Sequence, residues 1–175
     1  MSSLFREDVQ RWIVPQQIAD PSEVTFSGTM RLLWQHMGLR AMLWYRFGSW
    51  CAWHGIPFIP GFVRRFLYRF FGLDIVMGIK IGGGLYIPHP NGTVIVAEEI
   101  GKNCNIIANV TIGMRNEWTF PIIGDNVFIG AGARILGGIR IGDNSVIGAN
   151  SVVIQDVPDN TTVVGIPARV VRHSS

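Results

Sequence analysis

Along the second half of the chain an aliphatic residue returns every six positions, at Ile123, Ile129, Ile135, Ile141, Ile147 and Val153. Small or aliphatic Val127, Ala133, Ile139, Ser145, Ser151 and Val157 sit four positions after each. The same beat runs upstream through Val94, Ile100, Ile106 and Ile112, and before that through Ile75, Ile81 and Ile87. A helix repeats about every 3.6 residues and a strand about every 2, so neither local period accounts for a beat of six. A coil of short parallel strands and tight turns does, because each aliphatic then stacks on its counterpart one coil away. The pattern predicts a mainly β fold, a parallel β-helix of hexapeptide repeats over residues 74–158, in about four turns.

The beat slips twice. Between Ile87 and Val94 the spacing is seven, with the extra residue inside His89-Pro90-Asn91-Gly92. Between Ile112 and Ile123 it is eleven, so Met114 to Pro121 must leave the coil as a loop. Insertions in a repeat protein map to loops, often on the binding face, and function is expected at these two places.

Outside the coil, residues 1–73 read as helical. Leu4 to Ile13 forms a short helix with Ser3 as a candidate N-cap, and Pro15 and Asp20-Pro21 break it. Nothing in this stretch is assigned chemistry. Further helices fit Met30 to Met37, Leu39 to Trp53 and Phe62 to Phe71. From Val24 through Leu73 there is no Asp or Glu, while Arg31, Arg40, Arg46, Arg64, Arg65 and Arg69 interleave with aromatics. Two readings of residues 25–73 stay open: helices at a membrane interface, or a cap on the coil packed between subunits. No run is long enough to span a bilayer. Residues 159–175 leave the coil as a turn, a strand from Thr161 to Val164, and a tail that alternates like an edge strand with Arg169 and Arg172 exposed.

Composition narrows the classes. A hydrophobic content of 48% with 15% charged residues excludes disorder, and a net charge of +3 is too small to argue for nucleic acid. Cys51 and Cys104 form no CxxC motif, and Cys104 falls at an inward position, as a buried reduced thiol would. The first residues carry charges where a signal peptide needs an apolar core, so a cytoplasmic protein is expected.

Residues 72–172 resemble the serine O-acetyltransferase branch of the hexapeptide acyltransferases. The matching segments are Gly72-Leu73-Asp74-Ile75, Ile87-x-His89-x-x-Gly92, Val110-Thr111-Ile112-Gly113, Ile129 to Gly137, Ile147 to Val153, and Val164 to Val170. The helical stretch around Tyr45-Arg46 and Phe66 to Gly72 is similar to the helices that precede the family's coil. The resemblance implies a left-handed coil, against the usual crossover rule, and a homotrimer binding acetyl-CoA between neighbouring subunits. Two departures stand out. The family's serine-binding Asp before the catalytic His is Pro88, and its second histidine has no counterpart in Asn116 to Pro121. These losses point to a different hydroxyl, and the chain looks like the bacterial polysaccharide O-acetyltransferases. A sugar acceptor on a glycan precursor at the cytoplasmic membrane face is therefore expected.

Acetyl transfer to a hydroxyl needs a base that works near neutral pH, which suits histidine with its unperturbed pKa of about 6.5. His89 is the only histidine inside the coil. The resemblance makes it the general base and makes Asp74 the group that orients its ring, as in a catalytic triad; a helix-to-coil cap is the other reading of Asp74. Gly113 is implied as the backbone donor to the oxyanion. Ala131 and Ala149 are implied to line the pantetheine arm of acetyl-CoA, with Arg169 and Arg172 placed to meet its phosphates. Asn91 and Trp118 are the acceptor candidates, Trp118 as a stacking face for a sugar. No nucleophilic Ser or Cys stands out, so direct transfer is preferred over an acyl-enzyme. The rivals are serine O-acetyltransferase itself and a non-catalytic hexapeptide scaffold. A zinc enzyme is set aside, since only one histidine of the coil is available as a ligand and no metal is expected.

Overall fold

A computed structural model describes residues 3–14 and 18–173; Pro15, expected to break the first helix, lies outside them. Four helices lead into the coil: α1 (Ser3–Ile13), α2 (Phe26–Gln35), α3 (Met37–Trp53) and α4 (Ile59–Phe71), with a 3-10 turn at Pro21–Glu23. Thr25 caps α2 by accepting a hydrogen bond from Gly28 N–H at 3.1 Å, and Gly72 ends α4 in the left-handed conformation. Pro60, expected as a break, sits in the first turn of α4, where its missing N–H costs nothing.

The coil is a left-handed parallel β-helix of three faces. The first face carries five rungs: Leu73–Ile75, Thr93–Ile95, Thr111–Gly113, Arg134–Leu136 and Val152–Val153. The second carries Lys80–Ile81, Glu99–Ile100, Ile122–Ile123 and Arg140–Ile141. The third runs from Asn105–Ile106 through Phe128–Ile129 and Val146–Ile147 to Thr161–Gly165, where the strand Ala168–His173 adds antiparallel. The coil thus gains a rung beyond the four turns expected, because Thr161–Gly165 continues the third face. Apart from half-buried Ala168 the tail strand is exposed throughout, Arg169 and Arg172 included.

The six-residue beat is the register of these faces. Ile75, Ile95, Ile112, Ile135 and Val153 pair rung to rung on the first face. Ile81, Ile100, Ile123 and Ile141 do so on the second, and Ile106, Ile129, Ile147 and Val163 on the third. Every one of these side chains is buried. Burying one is worth about 1.5–3 kcal/mol, so the three stacks hold the coil closed. One position of the beat differs: Val94 is half-buried and Ile95 points inward instead. The turn at Pro90-Asn91-Gly92, closed by Thr93 N–H donating to the Pro90 carbonyl at 3.1 Å, takes up one more residue than the spacing suggested.

The corner between the second and third faces is built from repeated polar residues. Asp125, Asp143 and Asp159 each accept a hydrogen bond from a backbone N–H of the rung before, those of Lys102, Asp125 and Asp143, at 2.7–2.9 Å. Beside them Asn103, Asn126, Asn144 and Asn160 pass side-chain amide hydrogen bonds along the stack. All four have positive φ, which the corner demands and asparagine tolerates.

The helices close the first end of the coil. Ala41, Met42 and Tyr45 of α3 and Val63 and Leu67 of α4 belong to the same core as Leu73 and Ile75. α3 comes so near that a Cβ on Gly38 would overlap the Ile87 carbonyl. Arg46 fastens α1 to both: it donates to both Asp8 carboxylate oxygens at 2.8 and 2.9 Å, and to the Ile81 and Gly82 carbonyls. Asp8 also accepts from Leu85 N–H at 2.9 Å. Helices α3 and α4 thus pack on the first rung of the coil, and no helix among the described residues is long and apolar enough to cross a membrane.

Candidate active site

The corner between the third and first faces carries His89. It is exposed, and it bridges in parallel to Ala108 on the next rung. Gly132 N–H donates to the Ala108 carbonyl, and Asn150 N–H to the Ala131 carbonyl, each at 2.8 Å. His89, Ala131 and Ala149 therefore lie along one edge of the prism, rung above rung. An extended arm bound along that edge would have its reactive end at the histidine.

Asp74 and Gly113 sit on the first face. Asp74 is in register with Val94, which is in register with Thr111 two residues before Gly113. A Cβ added at Gly113 would meet nothing, so the space over it is open to a reacting group. The Met114 to Phe120 loop leaves the coil there, with Met114 to Thr119 exposed.

Within one chain Asp74 and His89 line different cavities. Asp74 faces one of about 760 Å³ with Arg64, Arg65 and Tyr68. His89 faces one of about 470 Å³ with Arg11, Tyr86, Pro88 and Asn105. Among the described residues no hydrogen bond joins them. Asp74 instead accepts from Arg64 Nε at 2.7 Å, which ties α4 to the first rung and holds the Arg64 guanidinium more firmly in its charged form. Neither Arg64 nor Arg11 was singled out for chemistry from the sequence.

The remaining candidates are scattered. Asn91 lies beside Gly72 and Arg69 in a separate groove. Trp118 is 80% exposed and packs edge-on against Phe120, 5.6 Å between ring centres. Arg169 and Arg172 stand on the tail strand, and neither has an ion-pair partner among the described residues. Cys104 is buried, and desolvation pushes its thiol up to about 12, so it is no nucleophile.

Residues 120–155 match the bacterial transferase hexapeptide (six repeats) family model. The serine acetyltransferase of Synechococcus elongatus is 38% identical over 149 residues, 83% of this chain and 61% of that protein. That of Mycobacterium tuberculosis is 35% identical over 159 residues, 89% of this chain and 68% of the relative. The chain thus spans about three-fifths to two-thirds of the length of these relatives. Among solved structures, Neisseria gonorrhoeae serine acetyltransferase superposes with a TM-score of 0.84 at 34% identity, over 98% of this chain and 65% of that one. The soybean enzyme complexed with serine gives 0.82 at 36%, over 97% and 68%. The Brucella abortus enzyme in complex with coenzyme A gives 0.81 at 31%, over 98% and 68%.

These matches overturn the expected sugar acceptor, and with it the polysaccharide setting and the sugar-stacking role of Trp118. Pro88 and the missing second histidine are two departures at the site. The likeness to serine acetyltransferases, by contrast, runs through the helices as well as the coil. Nothing in these relatives supports contact with a membrane. With a relative 35% identical over most of both chains, and its fold reproduced through helices and coil alike, the chain belongs to the serine acetyltransferase family.

Proposed function

We propose that the protein moves an acetyl group from acetyl-CoA to the hydroxyl of L-serine. The observation that carries this reading is the exposed His89 at the head of the Ala131–Ala149 edge, in a chain alike throughout to serine acetyltransferases. The imidazole takes the hydroxyl proton as the oxygen attacks the thioester carbonyl. The oxyanion that forms is held by the backbone N–H of Gly113. As the intermediate collapses the C–S bond breaks, and the imidazolium returns its proton to the departing thiolate of CoA. Asp74 steadies the imidazolium, and because it lies away from His89 in one chain, we assign that contact to the histidine of a neighbouring subunit. Arg169 and Arg172, exposed and without ion-pair partners among the described residues, suit the phosphates of CoA.

The experiment is thiol release from acetyl-CoA by the purified protein, with L-serine or with a panel of sugars. Turnover with L-serine alone is expected; turnover with a sugar and not with serine would sink the reading.

We further propose a homotrimer, in which exposed Trp44, Phe47, Phe62 and Phe70 of α3 and α4 pack between subunits. Serine is water-soluble, so the acceptor gives these residues no reason to face lipid. Sedimentation is expected to return three times the chain mass, and a monomer would refute the assembly.

A further inference from the structure

Two arginines of the helical region are buried against the coil, and the fold treats them differently. Arg46 gives Nε and Nη2 to the Asp8 carboxylate, Nη1 to the Ile81 carbonyl and Nη2 also to the Gly82 carbonyl. Arg11 is only 7% exposed, yet among the described residues its single polar contact is Nη2 donating to Asn105 Oδ1 at 2.8 Å. Its Nε is buried and has no hydrogen-bond partner. None of the ion pairs among the described residues includes it. Burial lowers its pKa. A guanidinium taken out of water without an anion is costly, and a fold tolerates it where an anion is to arrive.

The place where Arg11 is buried is the wall of the 470 Å³ cavity that also holds His89. The other walls are Tyr86, Pro88, Asn105, Ile107 and Phe128, so among the described residues no carboxylate lines the cavity to satisfy it. We infer that Arg11 reads the acceptor: its guanidinium binds the carboxylate of the amino acid whose hydroxyl His89 deprotonates. This rests on the proposed function and deepens it. A planar guanidinium takes a carboxylate by two parallel hydrogen bonds, and Arg11 lines the cavity with only one of its donors committed to a protein partner among the described residues. Such a site rejects an acceptor that lacks the anion, because the buried cation is then left unpaired.

The test is steady-state kinetics of wild type, Arg11→Met and Arg11→Lys with L-serine and L-serinamide. Arg11→Met is expected to raise KM for L-serine about 10- to 100-fold, with kcat and KM for acetyl-CoA little changed. L-serinamide should be equally poor for wild type and variant, and Arg11→Lys should recover part of the loss. Equal losses with serine and its amide would reduce Arg11 to a structural tether. A change confined to KM for acetyl-CoA would move the anion to a CoA phosphate, and overturn the assignment. A readout free of turnover is the NMR shift of the Arg11 Nε–H in the wild-type protein. It is expected to move saturably with L-serine and with acetate, and not with L-serinamide. A wild type inactive with L-serine, but showing this shift with acetate, would sink the proposed function and keep the anion site. No shift with either anion overturns the inference.

Discussion

Replacing His89 by alanine is expected to lower kcat for acetyl transfer to serine by about 10²- to 10⁴-fold, the range contributed by a positioned general base. The melting temperature should stay where it is, because His89 is exposed and its one pairing among the described residues is a backbone bridge to Ala108. That combination separates chemistry from folding. A variant that keeps a tenth or more of wild-type kcat would remove His89 from the mechanism, whatever its stability. The companion variant Asp74→Asn keeps the shape and weakens both contacts open to this carboxylate. Were Asp74 only the tie to Arg64, stability would fall and kcat would not. As the steadying group for a neighbour's imidazolium, it should instead lose kcat by about 10-fold or more.

The largest effect on stability is expected at Arg46. Arg46→Ala leaves the Asp8 carboxylate, whose side chain is fully buried, without its cation, and it strips a donor from the Ile81 and Gly82 carbonyls. Breaking a buried pair from one side costs about 3–5 kcal/mol. At about 2–4 °C per kcal/mol for a chain of this size, melting should fall by roughly 10 °C, followed by circular dichroism or calorimetry. The paired change Asp8→Leu with Arg46→Met removes both charges and should regain much of the loss, since an apolar pair of similar volume often replaces a buried ion pair at little cost. A single variant melting within a degree or two of wild type would show that α1 is fastened by packing alone. The apolar contacts available for that are Phe5, Val9 and Trp12 against Leu39.

How much of this could be read in advance depended on whether the signal was periodic. The three inward stacks repeat every six residues, so the coil, its two slips and the burial of Cys104 were legible from spacing alone. Val94 was misplaced because Val94 and Ile95 are adjacent aliphatics, and only the Pro90-Asn91-Gly92 turn decides which of them faces inward. His89 could be singled out as a candidate because it stands in a slip. Arg11 and Asp8 could not: they lie on a short helix with no repeat, and their partners Asn105 and Arg46 are 94 and 38 residues away. The acceptor was misjudged for a related reason. Pro88 removes one familiar side chain at a single place, whereas the likeness to serine acetyltransferases is spread over the whole chain.

The Asp and Asn stack at the second corner bears on how such a chain can lengthen. Gly124-Asp125-Asn126 and Gly142-Asp143-Asn144 are interchangeable units 18 residues apart, each bonded to the one before and the one after by the same groups. Nothing in that column counts its members: a copied turn would be received by its neighbours on the same terms as the original. Length is dictated at the two extremities. Helices α3 and α4 plug one, and at the other Ala168–His173 runs against the grain of the third face, so no parallel rung can follow it there. The middle of the molecule is open to duplication or loss, while its ends fix where the coil starts and stops.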